Sequence, residues 1–341
     1  MPKKKQENYQ TPQTLLEAAR HFSDPEVCVQ FVKKFRWIDG ATCPHCGSKK
    51  NRYIKTRRKW CCKDCKKQFS VIVGTVFEDS KIQLDKWMLA VWMLANCKNG
   101  VSSWEIHRAI GVTQKTAWFM LHRIRLAMQN GSFEKLKGEV EADETFIGGK
   151  ARNMHKGQRK VKGSGTMGKE VVMGLLDRHT RQVRVKHVEG TKKKHTAAEV
   201  RSHVEPGSEV FTDALKSYSG LSDEYVHGFV DHAEKYVDGK IHTNGLENFW
   251  SLLKRAVKGT YVSIMPFHLF RYLDEQSYRF NKRDGHDSER FMEVLMGIKN
   301  KRLMYKDLIA KDSDEAITED CPSPPEILDV AVERIIEPFP F

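Results

Sequence analysis

The stretch VEADETFIGG, residues 140–149, decides how the chain is read. Apolar and polar side chains alternate through it with period two, the pattern of a half-buried strand. Yet Asp143 and Glu144 stand side by side in its middle, and Gly148 and Gly149 close it. Pleating sends Glu141, Asp143 and Thr145 to one face and Glu144 to the other, with Val140, Ala142 and Phe146. Only one of the adjacent carboxylates can therefore enter a site on a given face. A buried charge is costly unless something compensates it, so adjacent carboxylates inside an apolar strand need an explanation.

The rest of the chain is rich in cations. Against 44 Asp and Glu stand 58 Lys and Arg, for a net charge of +14, and residues 312–341 hold nine acids and one base, so residues 1–311 carry +22. A body this basic implies a polyanionic partner, most simply nucleic acid, because phosphate neutralisation releases condensed counterions. The longest apolar run, WMLAVWMLA at 87–95, is about half of what spans a bilayer, and MPKKKQENYQ lacks the apolar core of a signal peptide. The expectation is a soluble protein with no membrane partner and a cytoplasmic, nucleoid-associated location. Neither internal repeats nor long low-complexity segments occur, and 341 residues suffice for two or three domains.

Six of the eight cysteines lie at or before Cys65. Cys43 and Cys46 in CPHC, and Cys62 and Cys65 in CKDC, form two C-x2-C pairs separated by fifteen residues. That is the spacing of a structural zinc site built from two knuckles and four thiolates. Cys61 competes as a ligand only by lengthening the second knuckle. Cys28, Cys97 and Cys321 read as ordinary buried or surface residues. Between the knuckles, KKNRYIKTRRKW (49–60) carries six or more cations and two aromatics, suited to a phosphate backbone or to a solvated hairpin.

After the ribbon, a Ser80-x-x-Gln83 capping box opens a helix with Leu84, Trp87, Met88, Val91 and Ala95 at helical spacing. A second box, Ser102 to Glu105, opens another, which Gly111 ends before Thr113 caps TQKTAWFMLHRIRLAM. Two helices joined by a short turn, the second basic, describe a helix-turn-helix. Ala117, Leu121, Ile124 and Met128 are expected to pack inward, leaving Gln114, Lys115, His122, Arg123 and Arg125 for DNA.

Beyond residue 137 the periodicity becomes that of strands: EVEADETFI, KEVVMGLLDR and QVRVKHVEG, then a helix in HTAAEVRSHV and a strand in SEVFTDALKSYSGL that ends near Asp213. This order gives an α/β layer fold. In HTNGLENFWSLLKR, with Thr243 as cap, Leu246, Phe249, Trp250 and Leu253 make the apolar stripe. Asn244, Glu247, Ser251 and Lys254 share another face, with Glu247 and Lys254 roughly 10 Å apart along the axis. The basic stretches 148–169 and 191–196 read as DNA contacts or flexible loops, and His232 and His242 as hydrogen-bonding residues.

Asp143 in VEADETFIGG, Asp213 in VFTDALKSYSGL, and Glu247 with Lys254 in HTNGLENFWSLLKR resemble the DDE transposases of bacterial insertion sequences, in particular the family numbered fifteen-ninety-five. The resemblance covers about residues 20–285. It implies a multidomain chain in which a zinc ribbon and helix-turn-helix precede an α/β RNase H-like (integrase-like) catalytic domain with a mixed sheet. The corresponding spans are a basic tail at 1–20, a zinc-ribbon region at 21–78 with its core at 40–72, and a helix-turn-helix at 79–130. A catalytic domain follows at 137–285, then a C-terminal helix and acidic tail at 286–341.

The resemblance assigns catalysis to Asp143, Asp213 and Glu247, with Asn244 as an alternative third residue that the helix geometry favours less. Hard carboxylate oxygens suit two Mg²⁺ or Mn²⁺ ions about 4 Å apart, acting in phosphoryl transfer on DNA, while Zn²⁺ is structural. Divalent metal then answers the opening question by compensating Asp143, and Glu144 takes a supporting role. Lys254, Arg255, Lys115, Arg123 and Arg125 are the DNA-binding candidates. Double-stranded DNA, as transposon ends and target, is the expected partner of a homodimer or higher oligomer. No nucleotide cofactor is expected, since no Walker-type loop occurs. The competing readings are a domesticated, inactive DNA-binding regulator and a structure-specific nuclease.

Overall fold

The computed structural model describes residues 11–37, 39–129, 135–149, 168–213, 218, 220–230 and 242–309. The basic segment within 148–169, His232, Cys321 and the acidic tail fall wholly or mostly outside them. The chain divides into two compact units, 1–302 and 303–341. In the second, the described residues 303–309 include a short helix, Tyr305–Ile309.

Two helices outside the expected elements come first. α1 (Leu15–His21) is capped by the Thr14 side chain, and α2 (Pro25–Arg36) by Asp24 with Pro25 at its first position. A three-stranded antiparallel sheet follows, β1 (Asn51–Ile54), β2 (Lys59–Cys62) and β3 (Gln68–Phe69). The hairpin displays Lys49, Lys50, Arg52, Lys55, Arg57, Arg58 and Lys59 as exposed residues. Its aromatics turn the other way: the Tyr53 hydroxyl donates to Glu26 at 2.8 Å, and Trp60 is buried against Trp37 and Phe69.

Three helices continue the chain, α3 (Leu84–Asn96), α4 (Ser103–Ile110) and α5 (Gln114–Met128). The capping box at Ser102 and Glu105 and the Thr113 cap form as expected. The Ser80 box does not: Ser80 Oγ accepts from Ile82 N and Trp87 Nε1 instead, and Gln83 occupies the cap position without a side-chain bond. α9 (Asp287–Met296) joins these helices, contributing Phe291, Val294 and Leu295 to one core that runs from Ala18 through the ribbon to Met128.

The second core belongs to a five-stranded mixed sheet of order β6-β5-β4-β7-β8. β4 (Glu139–Ile147), β5 (Glu170–Asp177) and β6 (Val183–Val188) are antiparallel neighbours, whereas β7 (Glu209–Asp213) pairs parallel with β4 and β8 (Val226–Val230) parallel with β7. The strand periodicity was legible for four of the five; β8 was not anticipated. α6 (Lys193–His203) covers one face with Val140, Ala142, Met173, Leu175 and Val210. α7 (Asn244–Ala256) and α8 (Leu269–Asn281) cover the other with Val172, Leu176 and Val183. The α7 stripe is the expected one, Leu246, Phe249, Trp250 and Leu253, all buried, each contributing about 1.5–3 kcal/mol of burial.

α5 departs from expectation. Ala117, Leu121, Ile124 and Met128 are buried as expected, but so are His122, Arg123 and Arg125, which the sequence assigned to DNA. Helices pack around α5 on several sides, so its polar face is internal. Arg123 lies over the rings of Phe119 and Trp87 and donates to the Glu78 carbonyl. Arg125 is ion-paired with Glu275 on α8 at 2.6 Å. Lys115 alone of the three basic candidates on α5 is exposed. Among the described residues no helix is long and apolar enough to cross a membrane.

Candidate active site

The parallel pairing of β4 with β7 brings Asp143 beside Asp213. The register runs from Glu139 opposite Glu209 to Ala142 opposite Thr212, so the next residues are neighbours on strands about 4.8 Å apart. Both point to the face covered by α7. Glu247 lies in the first turn of α7, partly buried, while Asn244 is exposed. The charges of Asp213 and Glu247 both act on Asp143.

Asp143 is the best-defined member. On the antiparallel side it stands opposite Gly174. A Cβ at Gly174 would come within 2.7 Å of the Trp250 ring, so glycine there lets the indole lie on the sheet. From that position Trp250 Nε1 donates to Asp143 Oδ2 at 2.9 Å. Burial pushes the Asp143 carboxyl up to about 6, with Asp213 and Glu247 adding to the shift and the Trp250 bond opposing it. Lys254, two turns beyond Glu247 and half-buried, lies within electrostatic reach of Asp143; desolvation lowers its pKa. Arg255 and Lys258 are exposed.

Glu144 occupies the opposite face, as pleating requires. Burial pushes it up to about 7, with Tyr218 alongside, though neither completes a hydrogen bond of normal geometry among the described residues. His242 serves as a hydrogen-bonding residue, its Nδ1 3.0 Å from Arg178.

Thr243 takes the cap position of α7, as expected, but its side chain makes no cap bond. The amide of Leu246 instead donates to Glu141 Oε2 of β4 at 3.0 Å. Arg178, in the turn after β5, holds Glu141 Oε1 at 2.9 Å. Neither Glu141 nor Arg178 was a candidate from sequence.

The four cysteines converge. Cys43 and Cys65 sulfurs are 3.7 Å apart, Cys46 and Cys62 sulfurs 3.6 Å, and all four lie within 4.8 Å. A tetrahedron of thiolates about 2.3 Å from zinc has edges of about 3.8 Å, so the donor set fits the ion. Cys61 is excluded, its sulfur turned towards the Cys62 and Lys66 carbonyls.

Family models match both regions. Residues 23–68 match the transposase zinc-ribbon domain and residues 135–281 the ISXO2-like transposase domain. An uncharacterized transposase-like protein of Haemophilus influenzae is 33% identical over 86 residues, 25% of this chain and 69% of the relative. The chain belongs to the ISXO2-like transposase family. A second relative, an uncharacterized protein in transposable element ISH50 of Halobacterium salinarum, is 29% identical over 238 residues, 66% of this chain and 80% of the relative. Among solved structures, a chain in the cryoEM structure of the simian T-cell lymphotropic virus intasome in complex with PP2A regulatory subunit B56 gamma matches at 13% identity. It covers 55% of this chain and 64% of that one with a TM-score of 0.26, too low to carry an argument about architecture.

In this ISXO2-like transposase the ribbon is continuous with the helical core, since Cys43, Trp60, Cys62 and Phe69 pack in the cluster that holds α2 and α3. Metal removal should therefore reach beyond the knuckles. We expect a strong chelator, or Cys62→Ser, to unfold the ribbon and abolish the near-ultraviolet dichroism of Trp37 and Trp60. Binding energies of about 10–16 kcal/mol make structural zinc decisive for such small units. Dichroism unchanged at zero zinc content would show that the ribbon does not depend on its ion.

Proposed function

We propose that the chain is an active DNA transposase that binds the terminal inverted repeats of its element and catalyses metal-dependent strand cleavage and strand transfer. The observation that carries this reading is the placement of Asp143 and Asp213 on adjacent parallel strands under the helix that bears Glu247 and Lys254. The mixed sheet with helices on both faces supports an RNase H-like domain, and the capped α4–α5 pair, with Lys115 exposed on α5, supports a helix-turn-helix.

Asp143, Asp213 and Glu247 would hold Mg²⁺ or Mn²⁺. The fit rests on the donor set: hard oxygens, with Asp143 pushed up to about 6 chiefly by burial and further by the charges of Asp213 and Glu247, a cost that a divalent cation would relieve. When bound, two such ions activate the attacking oxygen and stabilise the leaving one. The chain's own residues do the rest. Trp250 fixes the Asp143 carboxylate, Lys254 is placed to neutralise a phosphate beside it, and Arg255 and Lys258 extend the basic strip. The exposed cations of the β1–β2 hairpin would track the backbone elsewhere on the DNA. Water frees a 3′-hydroxyl at the element's end, and that hydroxyl attacks target DNA with exchange of one phosphodiester for another.

The test is incubation of the purified chain with Mg²⁺, a duplex carrying the element's own end, and a target plasmid. End-specific nicking and joined product are expected. Cutting at junctions without joining would point to a nuclease, and binding without cutting to a regulator.

A further inference from the structure

Arg178 has no place in the functional reading above, yet its side chain meets all three segments that carry the acids. Backbone and side chain of the turn fix it: Arg178 N donates to the Glu139 carbonyl at 3.0 Å, and Asp177 Oδ1 caps His179 N and Thr180 N at 2.8 and 3.1 Å. From there Nε donates to Glu141, two residues before Asp143 and on the same face of β4. The guanidinium lies 4.1 Å above the ring of Phe211, two residues before Asp213 on β7 and in register with Glu141. One terminal nitrogen donates to the His242 carbonyl, next to the Thr243 cap position of α7 and five residues before Glu247.

Glu141 completes the link. It is 1% exposed, and its second oxygen accepts the Leu246 amide, the residue preceding Glu247. An anion at a helix N-terminus is favoured by the exposed amides there. A side chain at Gly245 would meet Glu141 Oε2 at 2.8 Å, so glycine lets the helix end settle onto the carboxylate.

The geometry points to the Arg178–Glu141 pair as a positioning clamp that aligns Asp143, Asp213 and Glu247 for divalent metal. This rests on the reading of those three acids as the metal-holding set. An Arg planar fork suits the task because one group can pair with a carboxylate, reach a carbonyl and lie on a ring at once. Each contact is two to five residues from an acid on a rigid element. Loss of the clamp therefore shifts ligands without removing any.

The test measures Mn²⁺ binding to the full, zinc-loaded chain by the electron paramagnetic resonance of free Mn²⁺, alongside thermal unfolding and DNA binding without divalent ions. Arg178→Gln is expected to raise the Mn²⁺ dissociation constant about 10- to 100-fold, the range for residues that orient metal ligands, while DNA affinity stays as in the wild type. Arg178→Gln leaves the buried Glu141 charge without its guanidinium, so the double variant Arg178→Gln with Glu141→Gln is made as well. It removes both charges, keeps an acceptor for Leu246 N, and must show the same weakening. A lowered Tm with wild-type Mn²⁺ affinity in either folded variant makes the pair merely structural and overturns the proposal. Asp143→Asn in the same assay keeps the two failures apart. If it loses Mn²⁺ and the clamp variants do not, the clamp fails alone; if it too binds normally, the metal-holding set fails first.

Discussion

Asp143→Asn should slow metal-dependent strand cleavage by about 10³-fold or more while making the metal-free protein more stable. The first half follows from the role: a metal ligand contributes several kcal/mol of transition-state stabilisation, and about 4 kcal/mol corresponds to 10³ in rate. The second half follows from the environment. The Asp143 carboxyl stands at about 6 against an ordinary 3.8, chiefly because burial penalises its charge. A carboxyl raised in the folded state is best tolerated when neutral. The folded chain thus carries no penalty below about pH 4, loses stability as pH rises towards 6, and bears the full cost above it.

Two units correspond to about 3 kcal/mol at most, less for the partial exposure of the group. Asparagine keeps an acceptor for Trp250 Nε1 and removes the charge. At pH 8 without divalent ions its Tm should exceed the wild-type value by about 2–5 °C, and the two should converge near pH 4. Mn²⁺ should raise the Tm of the wild type and not of the variant. Its affinity for the wild type should fall about tenfold per pH unit below 6, as protons compete for the ligand. Glu144→Gln, relieved of a carboxyl pushed up to about 7, should share the gain in stability and retain cleavage. Equal Tm values for Asp143→Asn and wild type at pH 8 would mean that Asp143 is not strained by its charge.

What could be read in advance follows the range of the physical signals. β4 was legible to the residue, because alternation along nine positions is a local property. The cysteine cluster was legible because zinc knuckles are local too, and the α7 stripe because four apolar residues repeat at helical spacing. Arg178 was not. It sits next to Asp177 in the turn between β5 and β6, and its partner Glu141 is 37 residues away. The sheet register pairs Glu141 with Phe211, a relation that no sequence period announces. The same limit explains Thr243, whose capping role passes to a carboxylate from another strand. It explains Ser80 as well, whose hydroxyl is taken by Trp87 Nε1 from the next turn of chain.

Arg125→Ala should cost about 3–5 kcal/mol of stability and leave the salt dependence of DNA binding unchanged, the reverse of what a basic helix suggests. Arg125 is 1% exposed and lies 4.0 Å over the Tyr272 ring. Glu275, itself fully buried, accepts from Arg125, from Arg279 and from the Tyr261 hydroxyl. Burial alone would push the Glu275 carboxyl up, but Arg279 and Arg125 outweigh it and hold it below its usual range. Its charge is therefore retained at neutral pH, and the stability it supplies is lost only in acid.

Removing one member of such a set leaves the others imperfectly compensated in a low-dielectric interior, which is what makes breaking a buried pair expensive. Glu275→Gln should be at least as damaging, since two buried guanidiniums then share no anion. Lys115→Ala is the counterpart: exposed at the start of α5, it should leave Tm unaltered and reduce the slope of log affinity against log salt by about 0.9, the value for one phosphate contact on duplex DNA. Chemical denaturation and filter binding at several salt concentrations separate the two. A reduced salt slope in folded Arg125→Ala would place that guanidinium on the DNA after all.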